Sequence, residues 1–276
     1  PKKSENSYSE HYNKAIKYLD NKEYQFATDE FSACLRMNSE TDSILAYRGL
    51  CYYELEKYEK SIKDLSLAIS LNPDDADYYV MRADAYDELE KYEEAIIDYT
   101  KAIDINPSDV YSYKFRGYGY YVLAKYQDAI NDFTKSISIE PDYFSFLYRG
   151  ISYYELPQAS VVEYKRAIDD FTTVISLKPD NKLAYKYRGM AKEESGINYE
   201  IPFCTDYQKG CELGDKDACK WYEEECNTEL ALQNPVVPIK KISIPKSTTT
   251  SNKSSISSEY YINLASDYYD KGKYQL

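Results

Sequence analysis

The side chains best equipped for chemistry are the cysteines, and four of the six fall between positions 204 and 226, in CTDYQKGCELGDKDACKWYEEEC. Thiolates grouped this closely could hold a zinc ion, form a redox centre or be joined as disulfides. The string itself reads as a helical hairpin: DYQKGCEL is one helix, Gly214 its stop and DACKWYEEEC the next. In an antiparallel hairpin folded about Asp215, positions equidistant from the turn face each other, which sets Cys211 opposite Cys219 and Cys204 opposite Cys226. The two levels are seven residues apart, about 10 Å along a helix, too far for four thiolates to share one tetrahedral zinc. Two disulfides are the leading reading, with packed thiols or a metal as the alternatives. Cys34 and Cys51 fall where small side chains recur and read as packed thiols.

Other chemistry has little to work with. His11 is the only histidine and falls on a packing position, where a core or edge role is expected. There is no glycine-rich phosphate loop, and the acids are spread along the chain rather than gathered in one pocket, so paired-carboxylate catalysis has no specific support. The net charge of -13 opposes a nucleic-acid partner, which asks for clustered Lys and Arg. No stretch reaches the length of an apolar membrane span. The chain is expected to be no enzyme and to need no cofactor. What stands out instead is 34 tyrosines beside one tryptophan.

The elements that would position these residues come from a repeat. LAYRGLCYYELEKYEKSIKDLSLAISLNPDD from Leu45 returns as YVMRADAYDELEKYEEAIIDYTKAIDINPSD from Tyr79 and YKFRGYGYYVLAKYQDAINDFTKSISIEPD from Tyr113, with Pro73, Pro107 and Pro141 each 34 residues apart. Small residues recur at Ala15, Gly49, Ala83, Gly117, Gly150 and Gly189, and bulky ones in the following helix at Phe31, Leu65, Tyr99, Phe133 and Phe171. This is helical periodicity punctuated by prolines that stop the helix. Arg48, Arg82, Arg116, Arg149 and Arg188 precede the small residue, and Asp64, Asp98, Asp132, Asp170 and Asp206 precede the second-helix bulky residue. An acid in step with each base predicts a helix-to-helix bridge in every unit rather than a basic ligand stripe.

The pattern resembles the tetratricopeptide repeat over roughly residues 8 to 226. The resemblance implies an all-α fold, a right-handed α-α superhelix or solenoid of about six helix-turn-helix units starting near Tyr8, Asp42, Ala76, Val110, Tyr143 and Lys182. The fifth unit carries LPQASVVEY between its helices, and the sixth loses its proline. The string CELGDKDAC also resembles the cysteine-rich relatives of these repeats, in which cysteines so spaced bridge consecutive helices; the resemblance implies the pairs Cys211 with Cys219 and Cys204 with Cys226. If oxidised, those pairs place the chain outside the reducing cytoplasm, in the periplasm, on the cell surface or secreted.

In this family the ligand lies along the concave face made by the first helices. The resemblance therefore assigns a partner-binding groove to Tyr47, Leu50, Tyr53, Met81, Asp84, Phe115, Tyr118, Tyr121, Tyr148, Ile151, Tyr154 and Tyr187. Tyrosine suits such a surface because a rigid ring gives contact area and its hydroxyl gives orientation. The Lys and Asn clamp of chaperone-tail binders is absent, since Tyr12, Ile16 and Tyr47 stand at those places.

Three domains are expected: the solenoid at 1–226 ending in the cysteine hairpin at 203–226, a Pro/Ser/Thr/Lys linker at 227–258, and a restarted repeat at 259–276, marked by Ala265, Tyr268 and Tyr274. A lone first helix lacks the partner that would cover it, so the chain reads as part of a larger one or of a complex. The expected function is a non-catalytic scaffold of a bacterial cell-envelope or secreted assembly that holds an extended segment of a protein partner. The alternatives are the regulatory or targeting arm of a larger enzyme and a glycan-binding scaffold.

Overall fold

A computed structural model of the chain describes residues 2–37, 41–197, 199 and 202–226. The linker and the restarted repeat expected after residue 226 lie outside the described residues. Among the described residues there is no strand. They form helices α1 (Lys2–Asp20), α2 (Tyr24–Met37), α3 (Asp42–Glu54), α4 (Tyr58–Leu71), α5 (Ala76–Asp87), α6 (Tyr92–Ile105), α7 (Val110–Val122), α8 (Tyr126–Ile139), α9 (Tyr143–Tyr154), α10 (Val161–Leu177), α11 (Lys182–Ser195), α12 (Phe203–Glu212) and α13 (Lys216–Trp221). A π-helical turn, Tyr222–Cys226, follows α13.

The helices pack in consecutive pairs, as a repeat solenoid requires, and the chain divides into two compact units at Gly119 and Tyr120, inside α7. In the first unit α1 packs on α2, α3 on α4 and α5 on α6, with α2 against α3 and α4 against α5 joining the pairs. In the second, α9 packs on α10 and α11 on α12, with α8 against α9 and α10 against α11. The first helix ends in a left-handed residue at Lys22, Glu56, Glu90 and Ala124, at positive φ of 54–60°. That conformation turns the chain sharply, and it recurs at the 34-residue period of the prolines.

The small position works by letting the second-helix bulky residue sit on the first-helix backbone. A Cβ at Gly49 would lie 2.9 Å from Leu65 Cγ, at Gly150 2.8 Å from Phe171 Cε1, and at Gly189 2.5 Å from Tyr207 Cε1. Leu65, Phe171 and Tyr207 are buried accordingly. The insertion in the fifth unit is closed by Ser160, which caps α10 in a capping box with Glu163.

Four of the expected bridges are seen. Arg48 Nε donates to Asp64 at 2.6 Å, Arg82 Nε to Asp98 at 2.7 Å, Arg149 Nη2 to Asp170 at 2.7 Å and Arg188 Nη2 to Asp206 at 2.6 Å. One feature escaped the sequence reading. Each arginine also reaches back one repeat to a hydroxyl: Arg48 to Ser32, Arg82 to Ser66, Arg116 to Thr100, Arg149 to Thr134 and Arg188 to Thr172. The guanidinium fork thus ties two second helices together. In the first repeat Lys14 occupies the arginine place, yet His11 is the residue bonded to Glu30. Cys34 and Cys51 are buried and free.

Candidate functional site

The second unit ends in the hairpin of α12 and α13. Gly214 turns the chain at φ 86°, and Asp215 caps α13 by accepting from the Ala218 N–H at 3.0 Å. Gly210 lets the two arms close, since a Cβ there would meet Ala218 Cβ at 2.9 Å. The bridges are Cys211–Cys219, with Cα atoms 4.4 Å apart, and Cys204–Cys226, at 5.4 Å. Both pairings follow from the fold of the hairpin about Asp215. The one local difference from the sequence reading is that the second arm is α-helical only to Trp221 and then widens into the π turn that delivers Cys226 to Cys204. No group of three or more His, Cys, Asp or Glu side chains among the described residues is placed to hold a metal ion.

The residues assigned to a groove divide into two kinds. Leu50, Tyr53, Met81, Asp84, Phe115, Tyr148, Ile151 and Tyr187 are buried. Each is covered by neighbours in its own unit: Tyr53 stacks edge-on against Tyr58, Phe115 lies 4.3 Å from Tyr111 by ring centroid, Tyr148 packs on Phe133 and Phe144, and Tyr187 packs on Phe171. Tyr47, Tyr118, Tyr121 and Tyr154 are half-buried. In the first unit Tyr47 stacks on Phe31 with ring centroids 5.7 Å apart. In the second, Tyr121 and Tyr148 meet edge-on at 5.3 Å, as do Tyr154 and Tyr187 at 5.8 Å.

Beneath the first-unit surface lies an acid pair, Asp84 buried and Asp87 half-buried. Tyr99 Oη is 2.7 Å from Asp84 Oδ1 and 2.9 Å from Asp87 Oδ2, and Tyr111 Oη is 3.2 Å from the same Asp84 oxygen. A phenol carries one hydrogen, so Tyr99 satisfies both contacts only when one of the carboxyls holds a proton. Burial points the same way: it raises Asp84 to about 7, with the tyrosine hydroxyls opposing the rise, and raises Asp87 well above the usual carboxylate range. Asp87 Oδ1 is enclosed with no hydrogen-bond partner.

Two clefts open on the second unit. The larger, about 370 Å³, is lined by Gln127, Asn131, Tyr153, Glu163 and Arg166 among others, and its charges already answer each other, Arg166 lying 3.9 Å from Glu163. The smaller, about 250 Å³, is bounded by the end of α9, by α11 and α12 and by the stapled arm. Its walls carry Glu193, Glu194 and Glu225 with the rings of Tyr154, Tyr207 and Trp221. Tyr207 Oη donates to Glu193 Oε2 at 2.6 Å, and burial with the neighbouring Glu194 holds the Tyr154 phenol neutral by raising it to about 12.

Stacked helix pairs with a first-helix face of rings define an α-helical repeat solenoid. Two family models described as tetratricopeptide repeat match residues 43–75 and 76–109, so that stretch carries two tetratricopeptide repeats. Among solved structures, the C-terminal part of a tetratricopeptide-repeat protein from Cytophaga hutchinsonii superposes with a TM-score of 0.62 at 23% identity, over 77% of this chain and 83% of that one. A tetratricopeptide-repeat protein from Parabacteroides merdae gives 0.59 at 18% identity, over 79% and 98%. YrrB, described as a tetratricopeptide-repeat protein with an unusual peptide-binding site, gives 0.57 at 18% identity, over 64% and 89%. No curated protein matches the sequence.

Proposed function

We propose that the chain is a non-catalytic protein-interaction scaffold that holds an extended segment of a partner protein against the tyrosines of its first helices. The observation that carries this reading is a division seen within each unit: in the first, Leu50, Tyr53 and Phe115 are buried while Tyr47 and Tyr118 are half-buried, and in the second, Tyr148 and Ile151 are buried while Tyr121 and Tyr154 are half-buried. Open rings held by a buried layer are pre-organised, so little rotamer entropy is lost on binding. The peptide-binding site named for YrrB, a protein of the same fold, supports the same use. The two disulfides favour an oxidising compartment, and with it an extracytoplasmic, cell-envelope or secreted setting.

Selection from a library of displayed linear peptides tests the reading. Peptides should be enriched that bind the wild-type chain and lose about tenfold or more of their affinity to Tyr118→Ala or Tyr121→Ala, as expected for ring contacts at an interface centre. Circular dichroism confirms that the variants fold, and Tyr47→Ala offers a further substitution on a half-buried ring of the first unit. Absence of any enrichment, or equal binding to all the variants, overturns it.

A further inference from the structure

The cleft at the stapled end differs from the larger cleft, which carries Arg166, in what it lacks. Its lining contains three carboxylates, three aromatic rings and Met190, and no basic residue. Nearby cations are engaged elsewhere: Lys192 Nζ lies 2.7 Å from Asp206, Arg188 is bonded to the same carboxylate, and Lys220 lies 4.0 Å from Glu224. Glu193 is held by Tyr207, but Glu194 and Glu225 are exposed and make no hydrogen bond or ion pair among the described residues.

Tyr154 comes from the end of α9, and three further parts of the fold converge on it. Glu193 and Glu194 come from the last turn of α11, Tyr207 from the middle of α12, and Trp221 and Glu225 from the end of α13 and the π turn. Tyr207 is fully buried and backs Trp221, their ring centroids 5.5 Å apart, so the wall presented to the cleft is Trp221 with Tyr154. The disulfides fix that wall, because Cys219 and Cys226 bracket Trp221 and Glu225 and tie both to α12. A π turn replacing the regular helix at this place is the kind of local departure that often accompanies a binding role.

We propose that this cleft is a recognition pocket for a cationic side chain, a lysine or arginine of the bound partner segment. The chemistry fits in three respects. Aromatic faces attract a cation within about 6 Å of the ring centroid, with tryptophan the strongest. Carboxylates without a partner supply counter-charge at the mouth. The apolar sides of Met190 and Tyr154 match the methylene stem of a long basic residue. An anionic group is opposed by the three carboxylates. The proposal rests on the scaffold reading and deepens it, because it states the charge of the segment the scaffold holds.

Trp221 is the only tryptophan, so its fluorescence reports on this cleft alone. The oxidised chain is titrated with Nα-acetyl-lysine methylamide, its arginine counterpart, the isosteric norleucine counterpart and an N-acetylglucosamine oligosaccharide. A saturable change with lysine or arginine and not with norleucine supports the pocket, as does a loss of about three- to fivefold in affinity in each of Glu194→Gln and Glu225→Gln. Both glutamates are exposed, so neither change threatens the fold. An equal response to norleucine, a response to the oligosaccharide alone, or unchanged titrations in both variants overturns the proposal. Failure here is distinct from failure of the scaffold: library peptides that bind without basic residues leave the scaffold standing and remove the pocket.

Discussion

Arg82 and Arg188 each hold an aspartate and a hydroxyl, and they live in different surroundings. Arg82 holds Asp98 of its own repeat and Ser66 of the preceding one while keeping 19% of its side chain exposed. Arg188 holds Asp206 and Thr172 in the same way, but its side chain is 4% exposed and Lys192 is buried against the same carboxylate. The regular repeats at 43–109 therefore carry bridges that water can reach, and the closing repeat carries a dry triad of two cations on one acid. Burial lowers the Lys192 pKa while Asp206 opposes the fall. The difference teaches that one sequence device, an arginine in step with an aspartate, changes its energetic meaning with depth.

The largest effect should come from breaking the dry triad. Asp206→Asn leaves Arg188 and Lys192 buried without counter-charge, which costs about 3–5 kcal/mol. Asp98→Asn in a regular repeat leaves an arginine that can turn to water and should cost about 1 kcal/mol. Denaturant unfolding of the two variants measures both, and equal losses would break the comparison.

The staple comes next. Replacing Cys204 and Cys226 by serine opens a loop whose ends are 22 residues apart in sequence, for about 3 kcal/mol in the chain-entropy estimate. The loss should be local. Hydrogen exchange should quicken in 202–226 and stay unchanged in 43–109, where neighbouring helix pairs and no covalent bond hold the structure. Quickening spread evenly over both regions would show that the staple supports more than the hairpin.

The acid pair gives the regular region its own buried charge problem, solved with a proton rather than with cations. Asp84 is raised from 3.8 to about 7. The folded chain thus keeps a proton that the unfolded chain releases, and stability is full below about pH 4 and falls as pH rises through about 7. The groups facing Asp84 are Tyr99 and Tyr111, which stabilise its anion, and Glu88 and Asp109, which oppose it, with Asp87 across the Tyr99 hydroxyl. Asp84→Asn should remove much of that decline, on the order of 2 kcal/mol between pH 4.5 and 8. A stability profile of the same slope in wild type and variant would place the proton elsewhere.

The repeat was legible because small, bulky, proline, arginine and aspartate positions each recur at one period, and each has a steric or ionic cause visible in a single sequence. The disulfide pairing was legible because Gly214 and Asp215 mark a turn and distance from the turn sets the facing pairs. The surface was less so. Tyr148 and Tyr154 stand in one helix at similar places in the pattern, yet Tyr148 is buried by Phe133, Phe144 and Tyr121 while Tyr154 stays half-open. Burial of a first-helix ring depends on residues one repeat away, which periodicity alone does not rank. The Asp84–Tyr99–Asp87 contact was hidden for a related reason, since Asp84 looks like any solvated helix acid until Tyr99 arrives from α6. The back-reaching hydroxyls did have a signal: Ser32, Ser66, Thr100, Thr134 and Thr172 each follow the bulky position by one residue.

Those hydroxyls supply the smallest and sharpest test of depth. Ser66→Ala removes one acceptor from Arg82, whose side chain keeps 19% of its surface exposed and can turn to water, so the cost should be a few tenths of a kcal/mol. Thr172→Val keeps the volume and removes the acceptor beside a buried guanidinium, where no solvent stands ready, so about 1 kcal/mol or more should be lost. The two substitutions delete the same bond, 3.0 Å in one repeat and 3.1 Å in the other, and differ only in what replaces it. A double-mutant cycle with Asp206→Asn then asks whether Thr172 and Asp206 act together on Arg188: a coupling near zero would mean that each partner holds the arginine independently, whereas a positive coupling would show that the dry triad includes the preceding repeat and that the closing hairpin is anchored through it.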